Sequence, residues 1–303
     1  MDVREGFTDC LLISTSNKFV MTIKKTYKLF IGGKFPRTES GRVIEVRGKD
    51  GALLANMSQA SRKDFREAVV AARKASAGWA KATAYLRGQI IYRIAEILDG
   101  RGEQFVSELV SHGFREDKAR EDKAREDLAR AIDLLVYYAG WSDKYQAVFS
   151  SVNPVASSHF NFSAPQPNGV VGIIAPGRGS LSELVSTLAP VIVGGNCAVV
   201  LSPQDATTAI SFSEVLATSD VPAGVVNILT GERDELGPEF AKHMDLNALM
   251  LCSSDSDEKR ALELEAAENL KRVSVHPNRS LKEDPYLITD FQEVKTTWHP
   301  IGV

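Results

Sequence analysis

Residues 170–201 read VVGIIAPGRGSLSELVSTLAPVIVGGNCAVVL, and this stretch decides the fold. An apolar run ends at the breakers Pro176 and Gly177, a helix-patterned segment follows, and a second apolar run begins at Cys197. Apolar strands that alternate with helices are typical of a parallel sheet covered on both faces. We therefore predict a doubly wound α/β domain with strands at Val170–Ala175, Cys197–Leu201, Val225–Leu229 and Ala248–Leu251 and helices at Leu181–Ala189, Ala209–Ala217 and Leu236–His243.

The part of the chain before this domain is predicted to be mostly helical. YKLFIGGKF, residues 27–35, reads as a short hairpin that turns at Gly32 and Gly33. Ser61 is a suitable N-cap for a helix, and residues 87–98 carry the apolar stripe of a second helix. The apolar residues that share a face of the first helix are Phe65, Val69, Ala72 and Trp79.

The near-repeat REDKAREDKAREDLAR at residues 115–130 places each of its glutamates four residues before an arginine. This orientation favours ion pairs within a helix. A period of five residues drifts around a helix, so we predict a solvated face, with a partner-binding helix as the alternative. The apolar stripe is expected to resume at Ile132. Residues 147–167, AVFSSVNPVASSHFNFSAPQP, read as two strands joined by a turn at Asn153 and Pro154.

Composition argues against several classes of function. The chain has 303 residues, a formal net charge of -3 and a pI near 6.0, and its basic residues alternate with acids, so we expect no nucleic-acid partner. The three cysteines and five histidines have neither metal-ligand nor disulfide spacing, so we predict no metal and a reducing, cytoplasmic location. No stretch is long and apolar enough to cross a membrane.

Residues 1–25 are expected to be a disordered leader, within which Met21 offers a second start site.

Five motifs resemble, in order and spacing, the aldehyde dehydrogenase superfamily. They are NGVVGIIAP, APVIVGGNCAVVLSP, DVPAGVVNILTGERDELG, HMDLNALMLCSS and ENLKRVSV. YKLFIGGKF, SAGWAKA and YYAGWSDKY extend the likeness upstream, so that it covers about residues 26–275. The resemblance implies a Rossmann-like parallel sheet that binds NAD or NADP, together with N-terminal helices and a small antiparallel bridging sheet for oligomer assembly.

On this resemblance the chain divides into five parts. They are a leader at 1–25, an N-terminal helical part at 26–145, a bridging hairpin at 146–166, a Rossmann-like nucleotide-binding part at 167–280, and a linker with a C-terminal bridging strand at 281–303. The last part contains ITDFQEVKTTWHPIGV, which resembles the closing strand of the family. The family's nucleophilic cysteine is expected downstream of Cys252, but no cysteine follows Cys252 in this sequence. We therefore predict that the catalytic domain is missing.

The resemblance assigns four residues to the cofactor side of the site, namely Pro176, Asp205, Gly237 and Ser254. It assigns no catalytic residue. Several positions depart from the family. Gly177 and Arg178 stand in place of a tryptophan and the asparagine that donates to the oxyanion, and His276 stands in place of the general-base glutamate. On the cofactor side, Ser202 replaces a lysine, and Cys252 and Ser253 replace a threonine and a glycine. Because no cysteine nucleophile follows His276, we expect this histidine to have a packing or surface role.

The segment APGRGS, followed by Leu181, Ser182 and Glu183, has two interpretations. It reads as a capping box that simply starts a helix. It also reads as an anion cradle at a helix N-terminus, in which Arg178 would assist the binding of a phosphate.

Two functions from different classes follow from these observations. The first is a non-catalytic aldehyde dehydrogenase-like subunit that forms a homo-oligomer or a hetero-oligomer with a full-length aldehyde dehydrogenase. The second is an NAD(P)-dependent oxidoreductase with reduced or partner-dependent activity. A truncated reading frame without a stable role is a third interpretation, which the matched closing strand disfavours.

Overall fold

The computed structural model describes residues 24–47, 51–113, 118–177, 179–202, 207–277 and 282–302. The strands within these ranges are β1 (Thr26–Tyr27), β2 (Val43–Arg47), β3 (Leu53–Ser58), β4 (Ser151–Asn153), β5 (His159–Pro167), β6 (Val170–Ile174), β7 (Cys197–Ser202), β8 (Val226–Thr230), β9 (Ala248–Cys252), β10 (Arg272–His276) and β11 (Gln292–Pro300). The helices are α1 (Arg62–Lys81), α2 (Ala84–Gly100), α3 (Gly102–Gly113), α4 (Lys118–Trp141), α5 (Tyr145–Phe149), α6 (Leu181–Val193), α7 (Thr207–Ala217), α8 (Arg233–Lys242), α9 (Ser256–Ala267) and α10 (Tyr286–Thr289).

The centre of the fold is a five-stranded parallel sheet in the order β10-β9-β6-β7-β8. Every residue of β6, β7, β8 and β9 is buried, as the continuous apolar runs predict. Helices α6 and α7 pack with α2, α3 and α4, whereas α8 packs with α1 and α9, so helices cover both faces. The predicted doubly wound α/β fold is confirmed.

The predicted hairpin and the first helix also form as their local chemistry requires. Gly32 and Gly33 have φ values of 59° and 74°, a left-handed conformation that glycine adopts without a steric cost, and they join Ile31 to Lys34. Helix α1 begins with a capping box, in which Ser61 accepts from the Asp64 N–H and Asp64 accepts from the Ser61 N–H. The four residues predicted to share its apolar face are all buried.

The charged near-repeat is only partly a solvated face. Arg125 bonds Glu121 one turn away at 2.9 Å and Glu103 of α3 at 2.7 Å, as a surface helix would. However, Ala124, Leu128 and Ala131 are buried, because α4 packs against α2 and α6. The expectation that the apolar stripe starts only at Ile132 is therefore wrong, since residues spaced by four and three lie on one helical face.

A second, small sheet is antiparallel, with the order β11-β5-β4. It joins residues far apart in the sequence, for example Thr296 of β11, whose partner in β5 is Ser163. This confirms the predicted bridging sheet. A third sheet, with the order β1-β3-β2, was not predicted. It lies near the carboxyl end of β8, where the Thr230 hydroxyl donates a hydrogen bond to the carbonyl of Ser58 in β3. Among the described helices, none is long and apolar enough to cross a membrane.

Candidate functional site

The strand order creates a topological switch point between β6 and β9. The chain runs outward from β6 through β7 to β8 and then returns to place β9 on the other side of β6. In open α/β sheets, ligands bind outside the carboxyl ends of the strands at such a point. A cavity of about 520 Å³ opens beside it, over the ends of β6, β7 and β8. Its lining includes Ile44, Glu45, Ile174, Leu201, Ser202 and Glu232.

Arg233, the first residue of α8, lies across the switch point itself. Its Nη1 donates to the carbonyl of Ala175 at 2.9 Å, just past β6, and its Nη2 donates to the carbonyl of Cys252 at 2.7 Å, at the end of β9. Its Nε pairs with Glu258 in the first turn of α9. Glu258 also accepts from the Ser253 hydroxyl at 2.5 Å. The guanidinium thus ties both strand ends to α9.

The N-terminus of α6, the predicted anion cradle, already holds an anion from the protein. The carboxylate of Asp127 in α4 accepts from the backbone N–H groups of Leu181 at 2.8 Å and Ser182 at 3.2 Å. The hydroxyls of Ser180 and Ser182 each donate to it at 2.5 Å. Ser180 in turn accepts from the N–H of Glu183 at 3.3 Å. The segment therefore acts as a helix start, and Arg178, assigned to phosphate in the other interpretation, lies outside the described residues.

Two further helix N-termini at this edge, those of α8 and α9, are acidic. Helix α8 follows Glu232 and has Asp234 and Glu235 in its first turn. Helix α9 is capped by Asp255, which accepts from two backbone N–H groups, and has Asp257 and Glu258 in its first turn. Carboxylates at these positions stabilise the helices through the helix dipole. They also repel a phosphate from the ends that would otherwise attract it.

Comparison with known proteins places this architecture in a family. The sequence profile described as "Aldehyde dehydrogenase family" matches residues 36–276. The chain belongs to the aldehyde dehydrogenase family. The resemblance seen in its five ordered motifs is therefore confirmed.

Its similarity to other aldehyde dehydrogenase family members covers most of this chain but much less of theirs. Cytosolic 10-formyltetrahydrofolate dehydrogenase of Xenopus tropicalis is 31% identical over 262 residues, which are 84% of this chain and 28% of that protein. Mitochondrial aldehyde dehydrogenase of Leishmania tarentolae is 31% identical, covering 88% of this chain and 53% of that protein. The NAD+ complex of an aldehyde dehydrogenase from Bacillus cereus has the same fold, with a TM-score of 0.76 at 23% identity over 82% of this chain and 50% of that chain.

The four residues assigned to the cofactor side of this aldehyde dehydrogenase fold do not all face the cavity. Pro176 is buried directly after β6, and Ser254 is exposed between β9 and the cap of α9. Gly237 is buried within α8, where a Cβ would lie 3.8 Å from Ile174 and 3.7 Å from Leu262, which is ordinary van der Waals contact. Asp205 lies outside the described residues. Their assignment to a cofactor stays a prediction.

The two described cysteines are poor nucleophiles. Cys197 and Cys252 are fully buried in β7 and β9, and burial raises the pKa of each thiol to about 12. The thiolate is the reactive form of cysteine, so neither thiol is activated for attack on an aldehyde. Among the residues that the structure describes, no group of three His, Cys, Asp or Glu side chains could hold a metal ion.

His276 has a structural setting at the end of β10. Its Nε2 lies 2.9 Å from the Ser274 hydroxyl and 3.2 Å from the Asp290 carboxylate. Ser274 also donates to Asp290 at 2.8 Å. Arg272, on the same face of β10, donates to the carbonyl of Gln292 at 2.5 Å. These contacts hold the start of β11 against the edge of the central sheet.

Sequence reasoning missed the side chains that bond the strand and helix ends at the switch point, namely Asp127, Arg233 and Glu258. One signal was present, because GERDELG puts four charged residues where a helix follows a strand. The partners of Arg233 lie 58, 19 and 25 residues away, however, so local patterns could not identify them. With these side chains in place, the residues at the switch point do not fit the pyrophosphate of NAD or NADP.

Proposed function

We propose that this chain is a non-catalytic member of the aldehyde dehydrogenase family that associates with a second subunit of the same fold. The partner is a copy of itself or a full-length aldehyde dehydrogenase. The observation that carries the proposal is the exposed apolar surface of the sheet formed by β4, β5 and β11. We also propose a cytoplasmic location, which the cytosolic relative from Xenopus tropicalis supports.

One face of this sheet presents neighbouring apolar side chains to solvent. Val152 of β4 lies opposite Phe162 of β5, so both side chains are on the same face, and Phe160 lies two residues along the same strand. The rings of Phe160 and Phe162 are 5.6 Å apart. Val152 is 68% exposed and Phe160 is 44% exposed. A contiguous apolar surface of this kind marks a site of protein association.

The opposite face and the edges support the same conclusion. Val294 and Trp298 of β11 are exposed on the other face. Strands β4 and β11 are the two edges of the sheet, and an unpaired edge is a template for a strand from another subunit. The base of the sheet is anchored, because Asn196 donates to the Phe291 carbonyl at 3.0 Å and Gln292 donates to the Gly194 carbonyl at 3.0 Å. A sheet fixed at one end and exposed at the other is suited to assembly.

The double substitution Val152→Glu/Phe160→Glu should weaken association at least about tenfold, because two carboxylates would have to be buried without partners. We expect the unmodified protein to sediment as a dimer or larger species, or to copurify with a full-length aldehyde dehydrogenase of its own organism. The variant should sediment as a monomer. Because both side chains are already exposed, the thermal unfolding temperature should change little.

The matched control is Tyr85→Glu on α2, since Tyr85 is 70% exposed and lies away from this sheet. This variant should associate like the unmodified protein. The proposal fails if the unmodified protein remains monomeric and captures no full-length relative. It also fails if the control and the sheet variant lose association equally.

The purified chain, assayed alone with NAD or NADP and an aldehyde, should produce no reduced cofactor. The reason is that the described thiols are buried and protonated. Cys252→Ala should leave this baseline unchanged. Aldehyde-dependent reduction that disappears in Cys252→Ala would contradict the non-catalytic assignment.

An NAD(P)-dependent oxidoreductase with reduced or partner-dependent activity is the second candidate. The cavity of about 520 Å³ at the carboxyl ends of the strands favours it, because this volume is in the range of small-molecule sites. The acidic helix ends and Arg233 disfavour it. Activity that appears only when a full-length partner is added, and that requires this chain, would favour this candidate over the first.

A further inference from the structure

We propose that the Arg233–Glu258 pair closes the switch point, so that this aldehyde dehydrogenase-fold protein does not bind NAD, NADP or another nucleoside diphosphate there. This inference concerns the nucleotide-binding part and is independent of the proposed assembly through the three-stranded sheet. Either can fail without the other, because one is read from ligand binding and the other from sedimentation.

The position of the guanidinium is the first argument. Hydrogen bonds of 2.9 Å and 2.7 Å hold it between the carbonyls of Ala175 and Cys252, which belong to the two strands that flank the switch point. A pyrophosphate bound by the usual rule would sit in this same space, against the strand ends and a helix N-terminus. The side chain of Arg233, which also lines the neighbouring cavity, therefore occupies the strand ends that a pyrophosphate would contact.

The existing partners of Arg233 are the second argument, because a crevice arginine could instead be a phosphate ligand. All three guanidinium nitrogens donate, two to strand carbonyls and Nε to Glu258. Glu258 is itself held by Ser253 at 2.5 Å, and its side chain is only 25% exposed. A phosphate would have to displace this carboxylate and leave it next to the new negative charge, which is unfavourable.

The surrounding charge is the third argument. Glu232, Asp234 and Glu235 lie at the start of α8, and Asp255 and Asp257 lie at the start of α9. The carboxylate of Asp127 occupies the N-terminus of α6. The starts of α6, α8 and α9 thus carry carboxylates of the protein's own, of which Glu235 is paired with Arg42 at 2.8 Å. The remaining carboxylates oppose the approach of a dianionic pyrophosphate.

Glu258→Gln tests the closure most directly, because it releases Arg233 while keeping the shape of the pair. Isothermal titration calorimetry with NAD, NADP and ADP as probes should detect no binding to the unmodified protein. The variant should bind ADP at least about tenfold more tightly than the weakest binding that the titration can detect. The double variant Arg233→Ala/Glu258→Ala removes both side chains and opens the crevice, so it should gain at least as much affinity as Glu258→Gln, because the side chain bonded to the Ala175 and Cys252 carbonyls is then absent.

The control Lys242→Ala/Glu265→Ala removes another ion pair, of 3.0 Å, between the same helices α8 and α9 but away from the crevice. It should gain no affinity. Circular dichroism establishes that each variant is folded. The proposal is overturned if the unmodified protein binds NAD or ADP, and a loss of that binding in Arg233→Ala would show that Arg233 is a phosphate ligand. It is also overturned if the folded Glu258→Gln and double variants gain no affinity, because the pair is then not what closes the site.

Discussion

Asp127→Ala should lower the free energy of unfolding by about 3 kcal/mol, one of the largest effects expected from a single substitution in this protein. The Asp127 carboxylate accepts from two backbone N–H groups and two hydroxyls at the N-terminus of α6. Its removal leaves these donors without an acceptor in a part-buried site. It also removes a negative charge from the positive end of a helix dipole. Denaturation in urea, followed by circular dichroism, measures the loss.

Two related variants separate capping from a general effect of charge. Asp127→Asn keeps an acceptor oxygen but not the charge, so its loss should be smaller. Asp133→Ala removes an exposed acid from the same helix and should change the free energy of unfolding by less than about 0.5 kcal/mol. Equal losses in Asp127→Ala and Asp133→Ala would show that Asp127 does not cap α6.

The unmodified protein should gain about 2 kcal/mol of stability, relative to Lys271→Met, between about pH 7.5 and about pH 9.5. Burial lowers the pKa of Lys271 to about 8 from its ordinary value of 10.5. Between these two pKa values the unfolded chain binds more protons than the folded chain, so stability rises with pH. The cost of burying the charge is present in full below about pH 8 and disappears as pH rises towards about 10.5.

The structure explains why a lysine is nevertheless present at this position. Its Nζ donates to the carbonyls of His243 at 2.6 Å and Leu246 at 2.9 Å, just after the end of α8. Unfolding of both proteins in urea across the pH range isolates the contribution of Lys271, since other titrating groups are shared. Parallel stability curves for the unmodified protein and Lys271→Met would contradict the prediction.

The contacts at the switch point give a physical reason why the stability of this fold does not depend on a bound cofactor. The central sheet is stabilised by apolar burial, which does not depend on a ligand. The strand and helix ends leave unpaired carbonyls and N–H groups that a dinucleotide could satisfy. Here Arg233 satisfies the carbonyls of Ala175 and Cys252, and Asp127 satisfies the N–H groups of α6. In the proposed closure, the protein's own side chains make the contacts that a ligand would otherwise make.

Much of the fold could be predicted from the sequence because its signals are local. Continuous apolar runs identified β6, β7, β8 and β9, and Ser61 marked the start of α1. The charged near-repeat misled, because a single leucine in its third copy, Leu128, continues a buried stripe from Ala124. The charged composition of the whole repeat hid the few apolar positions that determine which face of α4 packs against the other helices.

The sequence by itself determined the family, the doubly wound sheet and the small bridging sheet, because apolar period, turn residues and ordered motifs are properties of neighbouring residues. Only the tertiary structure decided what the carboxyl edge of the sheet can accept. That outcome depends on Asp127, Arg233 and Glu258, whose partners come from separate helices and strands. Charges distant in sequence meet only after the apolar core has brought their elements together, and their pairing then determines whether a helix end attracts an anion or already holds one.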